Sequence, residues 1–174
     1  MSGEPSNAAI WPDADVYVGA TTAVDPADAD TPFGVTWDLV GLLDGEAGFV
    51  QAREEEVEDH YAWGGILVRT SRRNFKLTVA FTALEDNDTT RDLLWPDSPA
   101  GSLVVPRPAR VKIAFELVED DKVKRLISAY QAEVSLNADV TEAEGDLTRY
   151  ELLATIFPTA AGVLFTEQKS FIAS

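Results

Sequence analysis

Four stretches of the chain alternate hydrophobic and polar residues with a period of two, at residues 75–84, 110–117, 123–136 and 148–157. This period is typical of β-strands with one buried face. Turn-forming and acidic residues separate the stretches, as expected for antiparallel strands. The pattern therefore predicts a mainly β fold, an antiparallel sandwich or barrel. The positions predicted to face inward are Phe75, Leu77, Val79, Phe81 and Ala83; Val111, Ile113, Phe115 and Leu117; Tyr130, Ala132, Val134 and Leu136; and Tyr150, Leu152, Ala154 and Ile156.

Two shorter stretches, residues 15–20 and 35–39, predict further strands. Between them, residues 25–32 read DPADADTP and have no periodic apolar face, so an acidic, turn-rich loop is expected there. Residues 1–13 are small and polar and contain proline, which predicts an N-terminal arm. No internal repeat is present, and 174 residues fit one domain, so residues 1–174 are expected to form a single unit.

One short helix is predicted after the first regular strand. Asn87 or Asp88 can cap its N-terminus, residues 89–95 form its body, and Pro96 ends it. With about two turns, such a helix depends on packing for its stability. A cation site is the alternative reading of the polar residues here, but the glycine and distal glutamate of an EF-hand loop are missing, and a cap is favoured. The candidate ligands would be Asp86, Asn87, Asp88 and Asp92.

The composition is that of a folded protein with an unusual charge. Hydrophobic residues make up 45% of the chain, cysteine is absent, and the formal net charge is −16. Without cysteine there are no disulfides, thiolate metal sites or cysteine nucleophiles. Because nucleic-acid binding depends on basic residues, so acidic a protein is expected to repel DNA. The N-terminal residues lack the basic and apolar regions of a signal peptide, and no run approaches a membrane helix, so a protein made in a cytoplasm without a membrane anchor is expected.

Signals for catalysis are weak throughout the chain. His60 is the single histidine, so it has no second histidine or cysteine with which to bind zinc. No glycine pattern matches a phosphate-binding loop, and no Gly-x-Ser-x-Gly elbow is present. Among 30 acidic residues, nothing singles out a pair for glycoside hydrolysis. We therefore expect a structural protein without catalytic, cofactor-binding or metal-binding residues.

A dense acidic run, residues 54–59, lies within a long predicted loop, residues 48–65. It can be a solvated surface, a repulsive lining or an interface. Aromatic residues stand on both sides of the run, with Phe49 before it and Tyr61 and Trp63 after it. Aromatic side chains beside charge favour a protein contact.

Three segments between residues 35 and 94 have a distinctive order of strand, acidic connection and helix. Trp37 begins an early strand, and Gly41 follows it at a turn. An acidic connection then ends in the aromatic-glycine segment YAWGG. The three segments are WDLVGLLDGEAGF, REEEVEDHYAWGG and ILVRTSRRNFKLTVAFTALEDNDTTRDLLW, the last of which contains Arg69-Thr70-Ser71, the strand from Phe75, Glu85-Asp86-Asn87 and the short helix. With these features, residues 35–94 resemble the major tail tube subunits of long-tailed bacteriophages, especially those that infect actinobacteria.

The resemblance implies a β-sandwich with one helix that assembles as stacked hexameric rings. Inner strands of six copies join into one wide barrel, through which double-stranded DNA passes to the host without specific binding. The implied location is the virion tail, and the implied partners are further copies of the chain and the tape measure, terminator and distal tail proteins. The inner strands are expected to include Phe75, Leu77, Val79, Phe81, Val111, Ile113 and Phe115.

On this hypothesis the loop 48–65 bridges stacked rings, with Trp63 as an anchor. The residues expected to make the contact are Phe49, Glu54, Glu55, Glu56, His60, Tyr61 and Trp63. The arm, residues 1–13, is expected to act similarly on the opposite face. Three alternatives stay open: another tail, neck or secretion-tube protein of this fold, a ligand-binding β-sandwich that uses its four tryptophans, and an acidic hydrolase.

Overall fold

Nine β-strands and one α-helix make up the part of the chain that the structure, a computed structural model, describes, namely Gly3 and residues 7–170. All strand pairs are antiparallel. In chain order the elements are β1 (Asp13–Gly19), β2 (Trp37–Leu39), β3 (Val50–Ala62), β4 (Ile66–Ala83), α1 (Asp88–Leu94), β5 (Arg110–Glu119), β6 (Lys122–Ser128), β7 (Gln131–Leu136), β8 (Tyr150–Phe157) and β9 (Phe165–Lys169).

The strands form two sheets that share β5. Sheet A has the order β2-β1-β5-β6-β9, and sheet B has the order β5-β7-β8-β4-β3. The beginning of β5, Arg110 and Val111, pairs with β7, while its later residues pair with β6 and β1. The apolar faces of the two sheets pack on each other, which confirms the predicted mainly β sandwich with one short helix.

The core lies between the sheets and contains most of the residues predicted to face inward. The predicted face of β8 is entirely buried, and so is that of β4 from Leu77 onward. Leu136, at the end of β7, was also predicted to face inward but is 45% exposed, and the exception on β4 is Phe75, with 48% of its surface exposed. A bulge with Asn74 at φ +57° precedes it and shifts the register, so Phe75 lies outside the core. The buried core residues are Val16, Val18, Val40, Leu77, Val79, Phe81, Ala83, Leu93, Ile113, Phe115, Ala132, Val134, Tyr150, Leu152, Ala154 and Ile156.

The alternation on β5 predicts that Arg110, Lys112, Ala114 and Glu116 face outward, and for three of them exposure to solvent is wrong. Arg110 is exposed, whereas Lys112, Ala114 and Glu116 are buried. The segment between β1 and β2 lies over this face, where Ala23 and Trp37 form a second small cluster with Ala114. The loop predicted at residues 25–32 is therefore part of the packed structure.

Two further differences concern the strands after β5. Residues 123–136, predicted as one strand, are β6 and β7 with a bend between them, and Tyr130 at that bend is half exposed. The alternation continues across this bend because the chain passes from sheet A to sheet B without a strong turn signal in the sequence. β9 had no regular alternation and was not predicted.

The helix agrees with its prediction. The Asn87 side chain accepts a hydrogen bond from Thr90 N–H at 2.9 Å, which is an N-cap, and α1 ends at Leu94 before Pro96. The Asn87 amide also donates to the Val40 carbonyl at 2.8 Å. The cap thus fixes the helix to the turn that follows β2.

The long loop expected at residues 48–65 is instead a strand and a tight turn, because residues 50–62 form β3. Of the arm expected at residues 1–13, residues 1, 2 and 4–6 lie outside the described residues, and Asp13 already belongs to β1. Within the rest, the Ile10 N–H donates to the Glu119 carboxylate at 3.4 Å.

Candidate assembly surface

A long β-hairpin, residues 53–76, projects from the edge of sheet B. Within Gly3 and residues 7–170, β8 pairs with β4 from Leu77 onward, and the earlier part of β4 pairs with β3 alone. Every residue of β3 is exposed. At about 3.3 Å per residue, the segment from Glu54 to Ala62 extends about 25 Å. In the part of the chain that the structure describes, the projecting hairpin therefore has two unpaired edges, one on β3 and one on β4.

The tip of the hairpin is a tight turn around two glycines. Gly65 N–H donates to the Ala62 carbonyl at 3.2 Å, and Gly64 and Gly65 have φ values of +86° and +77°. Such φ values favour glycine. Trp63 occupies the turn and is 100% exposed.

Large apolar side chains cluster around this turn. Tyr61, Trp63, Ile66, Leu67 and Val68 are each at least half exposed. Contiguous exposed apolar groups of this kind mark surfaces that contact another molecule. The apolar tip, as we call these five residues, is thus the strongest hydrophobic candidate for an interface.

Charge is divided between the two strands of the hairpin. The acidic run, residues 54–59, lies on β3, whereas β4 contains Arg69, Arg72, Arg73 and Lys76 and no acid. Residues 53–76 contain five acids and five Lys or Arg, so the hairpin is neutral within a chain of net charge −16. The acidic run therefore faces compensating charge, which argues against a purely repulsive lining.

Polar contacts between the strands hold the hairpin in register. Arg72 Nη1 donates to Glu55 Oε2 at 2.9 Å, and Asn74 Nδ2 donates to Glu56 Oε2 at 2.7 Å. The remaining cross-strand contacts join Arg73 with Glu58, Thr70 with Asp59, and His60 with Ser71. His60 thus takes part in an ordinary surface contact of the hairpin.

The residues predicted to contact other copies divide into two groups. The structure brings Glu54, Glu55, Glu56, His60, Tyr61 and Trp63 together on the projecting hairpin. Phe49 is not among them, because its ring packs against the Phe115 ring at a centroid distance of 5.2 Å. Of the predicted inner-strand residues, Leu77, Val79, Phe81, Ile113 and Phe115 are buried between the two sheets, Val111 is partly buried against the core, and Phe75 lies on the hairpin.

The face of sheet B that points away from the core combines small, apolar and charged side chains. On β4, Thr78 lies opposite Ala52 and Thr155, and Ala80 lies opposite Val50 and Leu153. The charged residues at equivalent alternating positions are Glu54, Lys76, Arg110, Glu133 and Glu151, and Arg110 forms a salt bridge with Glu133 at 3.5 Å. This outer face therefore carries three acids and two bases.

Sheet A is covered by the segment between β1 and β2, which two buried cations hold in place. Arg125 pairs with Glu116 and donates to the carbonyls of Asp28 at 2.9 Å and Thr31 at 2.7 Å. Its guanidinium lies 4.8 Å from the centroid of the Phe33 ring. Lys112 pairs with Asp25 and donates to the Ala23 carbonyl at 3.3 Å.

Burial and charge shift several ionisable groups beside this segment. Burial, together with Asp13 and Glu116, raises the pKa of the Asp15 carboxyl. Burial is the main cause that raises the pKa of Tyr17 to about 12, and the negative charge of Asp15 is the next largest cause. Hydrogen bonds from Thr31 lower the pKa of the Asp28 carboxyl. Asp15 and Glu116 are cross-strand partners, but Glu116 is committed to Arg125, so they do not form a free acid–base pair.

A groove of about 780 Å³ lies between α1 and the segments that flank β7. Its apolar wall includes Trp95, Leu103, Leu136 and Val140. Trp95 is 37% exposed, whereas Trp37 is buried. Among the described residues, no group of three or more His, Asp or Glu is placed to hold a metal ion.

No protein-family model matches the chain, and no curated protein is significantly similar to it in sequence. In the part of the chain that the structure describes, no helix has the length and apolar character needed to cross a membrane.

Proposed function

We propose that the protein is a structural subunit of a bacteriophage tail tube and polymerises as stacked hexameric rings. The observation that carries this proposal is the projecting hairpin, with its two unpaired edges and its apolar tip. The sequence resemblance of residues 35–94 points to the same family.

An isolated two-stranded hairpin is marginally stable in water, and its open edges invite pairing with other strands. The projecting hairpin has both properties, because among the described residues β3 alone pairs with residues 66–76 of β4. Identical neighbours supply a regular partner for every copy. Assembly into closed rings therefore removes the exposed edges that a single copy cannot cover.

The outer face of sheet B is suited to line the passage of such a tube. It carries the small residues Thr78, Ala80 and Thr155, and its three acids, Glu54, Glu133 and Glu151, outnumber its two bases, Lys76 and Arg110. Acidic groups repel phosphates within about 10 Å at 0.1 M salt, so only residues near the lumen contribute. DNA that passes through the tube would therefore not adhere to its wall. The further partners expected in the virion are the tape measure, terminator and distal tail proteins.

Electron microscopy of the purified protein tests the proposal. We expect long hollow filaments at high protein concentration, whereas isolated rings would favour a neck protein of the same fold. A protein that stays monomeric at every concentration would contradict self-assembly.

A shortened hairpin tests the part that carries the proposal. Replacing residues 57–72 by Asn-Gly joins Glu56 to Arg73, which are cross-strand partners, through a turn suited to a two-residue hairpin. We expect a folded variant that stays monomeric in sedimentation. As a control, Glu144→Ala changes an exposed residue between β7 and β8 and should leave filaments unchanged. Normal tubes from the shortened variant would refute the role of the hairpin.

A ligand-binding module is the second candidate, because the groove beside α1 contains the partly exposed Trp95. Soluble oligosaccharides that bind there should change tryptophan fluorescence in the wild type and not in a Trp95→Phe variant. Saturable binding by a protein that does not form tubes would favour this candidate over the tube subunit.

A further inference from the structure

We propose that the projecting hairpins of neighbouring copies lie side by side, with the acidic β3 of one copy against the basic β4 of the next. The proposal rests on the proposed self-assembly and specifies which strand of one copy lies against which strand of the next. The partner at each edge is a second copy of this chain.

The first argument is the concentration of cations on β4. Four of the 14 Lys and Arg residues of the chain lie within residues 69–76, and β4 contains no acid. The cross-strand contacts within the hairpin use only part of this charge, because among the described residues Arg69 and Lys76 form no salt bridge. Basic side chains therefore remain for a partner, and the acidic run is the complementary surface in the same molecule.

The second argument is the direction of the strands. In copies related by rotation about a ring axis, hairpins that extend along that axis all point the same way. Since β3 and β4 run in opposite directions, β3 of one copy is antiparallel to β4 of the next. The unpaired N–H and C=O groups of the two edges then meet in the orientation that an antiparallel ladder requires. The sheet can continue from copy to copy.

The third argument is the cost of the other pairings. Two β3 edges in contact would oppose acid to acid, and two β4 edges would oppose base to base. Like charges directly opposite each other destabilise a strand pair, and such repulsion is a means of specificity. A two-fold dimer through identical edges is thus disfavoured, while the head-to-tail contact, the type that forms rings when its rotation closes, is favoured.

Charge reversal on one face of the hairpin tests the pairing. One variant carries Glu54→Lys, Glu56→Lys and Glu58→Lys and becomes basic on both strands. A second carries Arg69→Glu, Arg73→Glu and Lys76→Glu and becomes acidic on both strands. A third combines all six changes, which exchanges the charges of the cross-strand pairs Glu54–Lys76 and Glu56–Arg73 and of the Arg73–Glu58 salt bridge.

Each triple variant alone should need a protein concentration at least about tenfold above wild type to assemble, measured by light scattering and microscopy. An equimolar mixture of the two triple variants should assemble again, because basic and acidic hairpins can alternate around a ring. The exchanged variant should assemble alone. Rescue by mixing also shows that the triple variants are folded.

Three results would overturn the proposal. If the wild type forms tubes and the triple variants assemble equally well, the charge pairing is refuted but the proposed function is not. Recovery in the exchanged variant without recovery in the mixture would show that the charges act only within one hairpin. A wild-type protein that never assembles would refute the proposed function and this inference together.

Nucleic acid is the other ligand that a basic strand can bind. If the wild type bound duplex DNA in a gel shift, and the acidic variant lost this binding while its assembly was unchanged, the basic residues of β4 would be assigned to DNA binding.

Discussion

Replacing Arg125 by methionine is expected to destabilise the fold strongly, because it removes one partner of a buried ion pair. The side chains of Arg125 and Glu116 are only 7% and 10% exposed. Methionine fills part of the same space but leaves the Glu116 carboxylate without its cation. The hydrogen bonds to the Asp28 and Thr31 carbonyls are lost as well.

The magnitude follows from the burial. Removing one partner of a buried pair costs about 3–5 kcal/mol, since a buried charge is left uncompensated. A domain of this kind has a total stability of about 5–15 kcal/mol, so the loss is a large part of it. With a urea m-value of about 2–3 kcal/mol/M, the unfolding midpoint should fall by about 1.5 M.

Urea unfolding monitored by tryptophan fluorescence measures this midpoint. The matched control is Arg72→Met, which breaks the pair with Glu55, where the arginine side chain is 65% exposed. This change should cost less than about 1 kcal/mol. The double variant Glu116→Gln with Arg125→Met should recover part of the loss, because no unpaired charge remains. Equal losses at Arg125 and Arg72 would refute the reasoning.

Four further substitutions separate stability from assembly. Gly41→Ala should lower the free energy of unfolding by at least about 1 kcal/mol in urea titrations, because Gly41 has φ +101° and an added Cβ would lie 2.2 Å from the Glu85 carboxylate. Asn87→Ala should lower it by about 1–2 kcal/mol through loss of the helix cap. Asp15→Asn should raise the free energy of unfolding by about 0.5 kcal/mol at pH 7. The pKa of the Asp15 carboxyl is raised in the fold, so the charged carboxylate destabilises the fold above that pKa, and this destabilisation is lost as the pH falls through it. The gain from the substitution should therefore vanish in unfolding curves measured in acid. Trp63→Ala should leave the urea midpoint unchanged, because Trp63 is fully exposed, yet should weaken assembly in light scattering, whereas Trp63→Phe should retain it.

The sandwich could be predicted because its strands have one buried face. Leu152, Ala154 and Ile156 alternate with more exposed neighbours, and the core side of β8 follows directly from that period. The prediction fails where both faces are covered, as on β5. Lys112 and Glu116 are polar in sequence and buried in the structure, since their partners Asp25 and Arg125 are distant along the chain. Ion pairs of that kind leave no local pattern in a single sequence.

The projecting hairpin was predicted as a loop for a different reason. A strand is read from its hydrophobic period, and β3 has none, because neither of its faces packs on the core. The Gly64-Gly65 turn between two runs rich in charge was the available signal of a hairpin. Opposite charges can specify which strands pair, as apolar side chains do, but only where the two strands lie directly beside each other. A strand that packs on no core therefore has the composition of a solvated loop, and the opposite charges of β3 and β4 are the sequence feature that indicates their pairing.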